Sequence, residues 1–192
     1  MARESFFAAL GRHRDAFARV DALAEQAEAL LRLAVAALES GGKIVFFGNG
    51  GSAADAQHLA AEFMVRYRRE RGPLAALALT TDSSILTAHS NDYAFESVFE
   101  RQVQGLVGPS DLVIGLTTSG TSENVNRALR AAGEMGAATA VLTGRDGGQA
   151  RMIAELAIVV PSDETARIQE VHMFIGHWLC EAIDERMAEA GA

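Results

Sequence analysis

Short, unbroken apolar runs alternate along this chain with longer stretches whose apolar residues recur every three or four positions. "KIVFFG" (43–48), "LAALALT" (74–80), "DLVIGLT" (111–117), "TAVLTG" (139–144) and "LAIVVP" (156–161) have the length and the β-branched content of buried strands. The helical period predicts a long amphipathic helix over 16–42, ended by Gly41 and Gly42, and a second over 52–71. Further helices are predicted near 93–107 and 121–135, with a last one from about 164 to 190. Strands buried on both faces and alternating with helices imply a parallel sheet covered on both sides. The expectation is one doubly wound α/β domain over 1–192. Residues 1–42 form an added N-terminal helical extension, and 43–192 the core. In such sheets ligands bind beyond the carboxyl ends of the strands, which is where "GNGGS" (48–52) and "TTSGTS" (117–122) fall.

Composition narrows the partners. The chain has 192 residues, 49% of them hydrophobic, and a formal net charge of −8, which disfavours nucleic acid as a main partner. No apolar run approaches the roughly 20 residues of a membrane span, and the charged N-terminus does not read as a secretory segment. One cysteine, Cys180, leaves no internal disulfide, so a cytoplasmic protein is expected. Of the 17 basic residues only Lys43 is a lysine, and it opens a strand, where a solvated side chain is usual. Imine chemistry is therefore not expected.

"GNGGSAAD" lacks the lysine of a P-loop and the glycine spacing of a dinucleotide fingerprint. It still sets Asn49, Gly50, Gly51 and Ser52 at a strand-to-helix turn, where free amides and the helix dipole favour an anion. Thr117, Thr118, Ser119, Thr121 and Ser122 surround Gly120 in a second such turn, which is more hydroxyls than one cap needs. Amides and hydroxyls can hold a phosphate without many cations. Two such loops at one sheet edge point to a phosphorylated small molecule.

His58 and Glu62 stand about 40° apart on their helix and one turn apart in height. A histidine and a carboxylate so placed suit a divalent metal such as zinc, although an exposed ion pair would have the same spacing. On the last helix Gln169 and His177 lie about 80° apart, Glu170 and His177 about 20°, and His172 and His177 about 140°. Spacing alone favours Glu170 as the partner of His177.

"GNGGSAADAQHLAAEF", "LTTDSSILTAHSNDYAFE", "TTSGTSENV", "LTGRDGG" and "RIQEVHMFIGHWL" resemble the sugar isomerase (SIS) domain family and, within it, the phosphoheptose isomerases. The likeness runs from about residue 43 to the C-terminus. It implies isomerisation of sedoheptulose 7-phosphate to D-glycero-D-manno-heptose 7-phosphate through an enediol(ate), the first step toward nucleotide-activated heptose precursors such as those of lipopolysaccharide. The resemblance makes Glu62 the base and His177 the acid, and implies one Zn2+ per subunit on His58, Glu62, Gln169 and His177. It also implies substrate contacts from Asn49, Gly50, Gly51, Ser52, Glu62, Asn91, Asp92, Thr117, Thr118, Ser119, Ser122 and Gln169. Glu170 and His172 then fall to the surroundings of the site, an interface or the surface. Thr117 and Thr121 depart from the serine and asparagine usual in the family, and His89 from an apolar residue. The resemblance further implies a homotetramer with sites at subunit interfaces, for which the apolar stripe of the N-terminal helix offers a surface. A second reading is a non-catalytic relative that regulates replication initiation by binding the initiator protein, which "HMFIGHWLCEAIDE" also resembles.

Overall fold

A computed structural model describes the backbone of residues 2–190 and the side chains of 5–187. Five parallel strands form one sheet in the order β2-β1-β3-β4-β5. They are β1 (Ile44–Gly48), β2 (Ala76–Ala78), β3 (Leu112–Thr117), β4 (Ala138–Gly144) and β5 (Leu156–Val160). Each lies inside its predicted run except β4, which begins one residue earlier, at Ala138. The order reverses between β1 and β3, whose residues pair from Ile44 with Leu112 to Gly48 with Leu116. This is the switch point at which doubly wound sheets bind ligands.

Alternation along the strands builds two cores. Ile44, Phe46, Leu112, Ile114 and Leu142 face one layer, while Val45, Phe47, Val113 and Val141 face the other. On the first face lie α2 (Ala24–Glu39), α3 (Gly51–Met64) and α8 (Thr165–Ala190), burying Leu30, Ala34, Leu59, Phe63, Ile168 and Leu179 against the sheet. On the second lie α5 (Val98–Leu106), α6 (Glu123–Glu134) and the short α7 (Ala150–Ile153). Phe46 and Phe47 are buried on opposite faces. Each such ring contributes on the order of 2–3 kcal/mol by leaving water.

Three stretches differ from the helical period. The predicted helix over 16–42 is continuous only from Ala24 to Glu39 (α2); a 3-10 turn covers Val20–Leu23, and a separate helix, α1 (Ala2–Phe17), precedes it. Phe17, Val20 and Leu23, on either side of the break, all pack against the first core. The helix after β1 stops at Met64 rather than running to 71, because the backbone amides of Arg68 and Arg69 bond the Asp184 carboxylate instead of helix carbonyls. Finally, α4 (Ser83–Asp92) occupies a stretch with no predicted element. Its apolar period is thin and it buries no residue, but Asp82 caps it by accepting from the Ile85 amide.

At the opposite, amino-terminal edge of the sheet, Lys43 is paired rather than solvated. Its Nζ lies 2.6 Å from Oδ2 of buried Asp111, whose oxygens also accept the Lys43 and Gly108 amides.

Candidate active site

The turns after β1 and β3 stand side by side because those strands are neighbours. Between them opens a cavity of about 240 Å³ lined by Asn49, Gly51, Ser52, Leu116, Thr117, Thr118, Ser119, Ser122, Thr165 and Gln169. The loops are braced by their own polar groups. Asn49 and Asn124 exchange two amide hydrogen bonds of 2.9 and 2.8 Å, tying the first loop to α6. The Thr117 hydroxyl lies 3.2 Å from Ser122 Oγ and accepts the Gly120 amide, while Ser119 Oγ lies 2.9 Å from Thr121 Oγ1. Thr117 is buried, so its hydroxyl shapes the loop from within. Ser119 and Ser122 stay partly open to the cavity. A Cβ at Gly51 would meet the Gln169 carboxamide, so the glycine lets that amide lie against the start of α3.

The histidines and Glu62 come together on the other side of Gln169, where α3 crosses α8. The helices approach closely because Gly176 lacks a side chain: a Cβ there would sit 2.5 Å from Leu59. Next to this crossing, His58 Nε2 and His177 Nε2 are 2.8 Å apart, and Glu62 Oε1 is 3.5 Å from His58 Nε2. Tyr67 stacks on the His177 ring, with centroids 5.6 Å apart and planes at 21°. Asp55, one turn before His58, is half-buried, and its Oδ2 has no hydrogen-bond partner. Burial raises its pKa, opposed by the nearby His58.

The predicted residues thus fall into three groups. Asn49, Gly51, Ser52, Thr117, Thr118, Ser119, Ser122 and Gln169 line the cavity. His58, Glu62 and His177 gather at the helix crossing, and Gln169 lies about 12 Å back along α8 from His177. Gly50, Asn91 and Asp92 are exposed and do not line it; Asn91 and Asp92 bond each other at the end of α4. Glu170 is at neither place: it bonds Arg167 at 2.5 Å and His13 of α1 at 2.8 Å. His172 is fully buried, its Nε2 3.1 Å from the Thr143 carbonyl, and burial lowers its pKa to about 4 despite that bond. Asp55, Tyr67 and Thr165 went unmarked in the sequence reading. Asp55 was within reach of it, three positions before His58 on the same helix face; the other two carry no local signal.

In kind, the donors suit zinc: two imidazole nitrogens, a carboxylate oxygen and, further back along α8, the Gln169 carboxamide. The two imidazoles are turned on one another. Among the described residues no group of three or more His, Cys, Asp or Glu side chains is arranged to hold a metal ion. Nor is any helix among them long and apolar enough to cross a membrane.

The family model of the SIS domain matches residues 7–144. The chain is 54% identical over 170 residues to the phosphoheptose isomerase of Aquifex aeolicus, spanning 88% of this chain and 89% of that one. It is 58% identical over 167 residues to that of Solidesulfovibrio magneticus, spanning 87% and 81%. Among solved structures it superposes on phosphoheptose isomerase GmhA from Neisseria gonorrhoeae with a TM-score of 0.91 and 41% identity, covering 96% of this chain and all of that one. For the phosphoheptose isomerase of Francisella tularensis the TM-score is 0.93 and the identity 34%, with coverage of 96% and 99%.

Proposed function

The chain belongs to the SIS domain family, and from that premise we propose that it is a phosphoheptose isomerase acting on sedoheptulose 7-phosphate. The observation that carries this reading is that one pair of helices bears both donor sets. A cavity walled by hydroxyls and amides opens at the strand ends, and a carboxylate and two imidazoles gather further along the same two helices, α3 and α8. From Ser52 to His58 is about 9 Å along α3, a span comparable to an extended seven-carbon chain with a terminal phosphate. The phosphate sits among Ser52, Ser119 and Ser122 at the positive end of α3, leaving the carbonyl end toward the helix crossing.

The reaction moves one proton. Glu62 removes it from C1 of the ketose while His177 donates a proton to the C2 carbonyl oxygen, giving the enediol. Glu62 returns its proton to C2 as the O1 hydroxyl proton leaves for His177, and the C1 aldehyde forms. Partial enclosure of Glu62 between α3 and the 65–72 segment limits water at the base. Zinc, when bound, would be held by His58, His177 and Glu62 with the Gln169 amide, supplying Lewis-acid polarisation of substrate oxygens. A carboxylate serving as ligand is a weaker base, so a bound zinc would temper Glu62 in its role as base.

Assembly as a homotetramer with sites at subunit interfaces accounts for two features of the single chain. Asn91 and Asp92 lie exposed away from the cavity of their own chain, free to complete a neighbour's. Phe6, Phe174, Met64 and Val65 are exposed apolar side chains of the kind that association covers. A cytoplasmic location goes with a sugar phosphate made inside the cell. The regulatory reading is not favoured, since the relatives carry the name of the isomerase. The decisive experiment is an assay on sedoheptulose 7-phosphate, with and without chelator, beside Glu62→Gln. Turnover by the variant at the wild-type rate would exclude Glu62 as the base.

A further inference from the structure

We propose that Arg71 and Asp184 form a clamp across α3 and α8 and that this clamp, with the Tyr67 ring it sets in place, holds Glu62 and His177 in register. The inference rests on reading those two residues as base and acid.

Helix α3 ends two residues beyond Glu62, where its last carbonyls have no partner within the helix. Arg71 supplies the partners. Its Nη1 donates to the Phe63 carbonyl at 2.9 Å and its Nη2 to the Glu62 carbonyl at 3.0 Å. Its Nε donates to Asp184 Oδ1 at 2.6 Å. Asp184 lies on α8 seven residues after His177, about 20° from it around the axis and two turns away. Its other oxygen accepts the Arg68 and Arg69 amides at 3.0 and 3.1 Å. One carboxylate thus draws the 68–71 segment onto the helix that carries His177, and one guanidinium closes the helix that carries Glu62.

Both groups are poor candidates for mere surface pairing. The Asp184 side chain is 2% exposed and that of Arg71 11%. Burial alone would raise the Asp184 pKa, but the Arg71 bond and the two amides together bring it below the usual carboxylate range. Arg71 needs its planar fork, because four acceptors (Asp184 and the Glu62, Phe63 and Gly72 carbonyls) are served at once, which a lysine ammonium on a flexible stem does not reproduce. Between the anchored residues and the end of α3, Tyr67 is turned so that its ring covers the His177 imidazole. His177 is then fixed from two sides, by the Tyr67 face and by His58 Nε2. Tyr67, Arg71 and Asp184 are positioning residues and touch no substrate.

The test uses the full-length protein. Tyr67→Phe keeps the ring and is expected to keep the wild-type kcat. Tyr67→Ala is expected to lower kcat about 100-fold with KM unmoved, the cost of a displacement near 1 Å at a reacting group. Arg71→Lys, which keeps the charge and loses the fork, is expected to lower kcat about 10-fold with KM again unmoved. Val45→Ala, on the opposite face of the sheet, serves as a destabilised control and should leave kcat intact. Histidine ring 15N spectra, recorded without substrate, give a reading independent of turnover. Tyr67→Ala should shift the His58 and His177 nitrogens and leave those of His172 in place. If the wild type fails to turn over the sugar phosphate while this selective shift is seen, the functional reading falls and the clamp stands. If the wild type is active but Tyr67→Ala behaves as Tyr67→Phe in kcat and in the spectra, the clamp is overturned. A kcat loss in Val45→Ala equal to that in Arg71→Lys would also overturn it, because general loosening would then be the cause.

Discussion

The two halves of the candidate site are built on opposite principles. The loops at the ends of β1 and β3 are neutral and made of single turns: Thr117–Ser122 is braced by bonds to residues a few positions away, and Asn49–Ser52 by the Asn49–Asn124 amide pair. The helix crossing is charged and assembled from afar, joining His58 to His177 and Arg71 to Asp184 across more than a hundred residues. The difference matches the work of each half. An anchor that contributes equally to ground and transition state tolerates small displacements, whereas proton transfer does not. A neutral cradle also carries no ion pair, while the crossing is closed by the Arg71–Asp184 pair.

The sharpest break between the halves is expected from Glu62→Gln and His177→Asn. Each should lower kcat about 10²–10⁴-fold, the range for loss of a general base or acid, with little change in KM. Steady-state kinetics on the sugar phosphate checks this. A KM rise matching the loss in kcat/KM, with kcat kept, would make them binding groups and erase the distinction.

Next comes acid. His172 sits on α8 between Gln169 and His177, neutral and fully buried, bonded to the Thr143 carbonyl. Its folded pKa of about 4 lies below the ordinary 6.5. The stability contributed by keeping it neutral is therefore complete above about pH 6.5 and is lost as the pH falls from there toward 4, amounting to about 3 kcal/mol. Asp184, whose folded pKa is also depressed, adds a further loss at lower pH still. Urea denaturation at a series of pH values should show this slope, and His172→Gln, which keeps a donor for Thr143 and does not titrate, should flatten it between 6.5 and 4.

Smaller effects belong to the loops. Ser119→Ala and Ser122→Ala should each raise KM about 10-fold, the loss of one hydrogen bond to a charged group, with kcat nearly constant. Equal falls in kcat and kcat/KM would tie these hydroxyls to the transition state instead. The mildest change expected is from Gly51→Ala, at the seam between the halves. The carboxamide that a methyl group there would strike is the far end of the flexible Gln169 side chain, so the cost is a shifted Gln169 and a modest rise in KM rather than unfolding, as thermal melts beside kinetics would show.

Much of this site was legible in the chain, but unevenly. Ser52, Ser119 and Ser122 could be placed because a strand-to-helix turn rich in small and hydroxylated residues has one usual geometry. His58 and Glu62 could be paired because four residues on a helix return to nearly the same face. The relation between Gln169, Glu170 and His177 could not be decided by angle, since the angle favoured Glu170, yet Glu170 turns to Arg167 and His13 on α1. Helix α4 was missed because it buries nothing, so no apolar period marks it. The helix expected over 16–42 starts only at Ala24, because its apolar period runs on unchanged through the 3-10 turn at Val20–Leu23, whose residues pack on the core all the same.

By itself the amino-acid order determined the five strands, their burial, the parallel sheet and the two hydroxyl-lined turns, because each depends on residue types within a single window of chain. Only the tertiary structure decided which face α3 and α8 share, how close Gly176 lets them come, and that a buried Asp184 would end α3 at Met64 and bring Tyr67 onto His177. Those outcomes come from competition between local helix bonds and partners more than a hundred residues away. A charged group that loses its water must be satisfied wherever the fold can bring a partner to it, and nothing in the local sequence says where that will be.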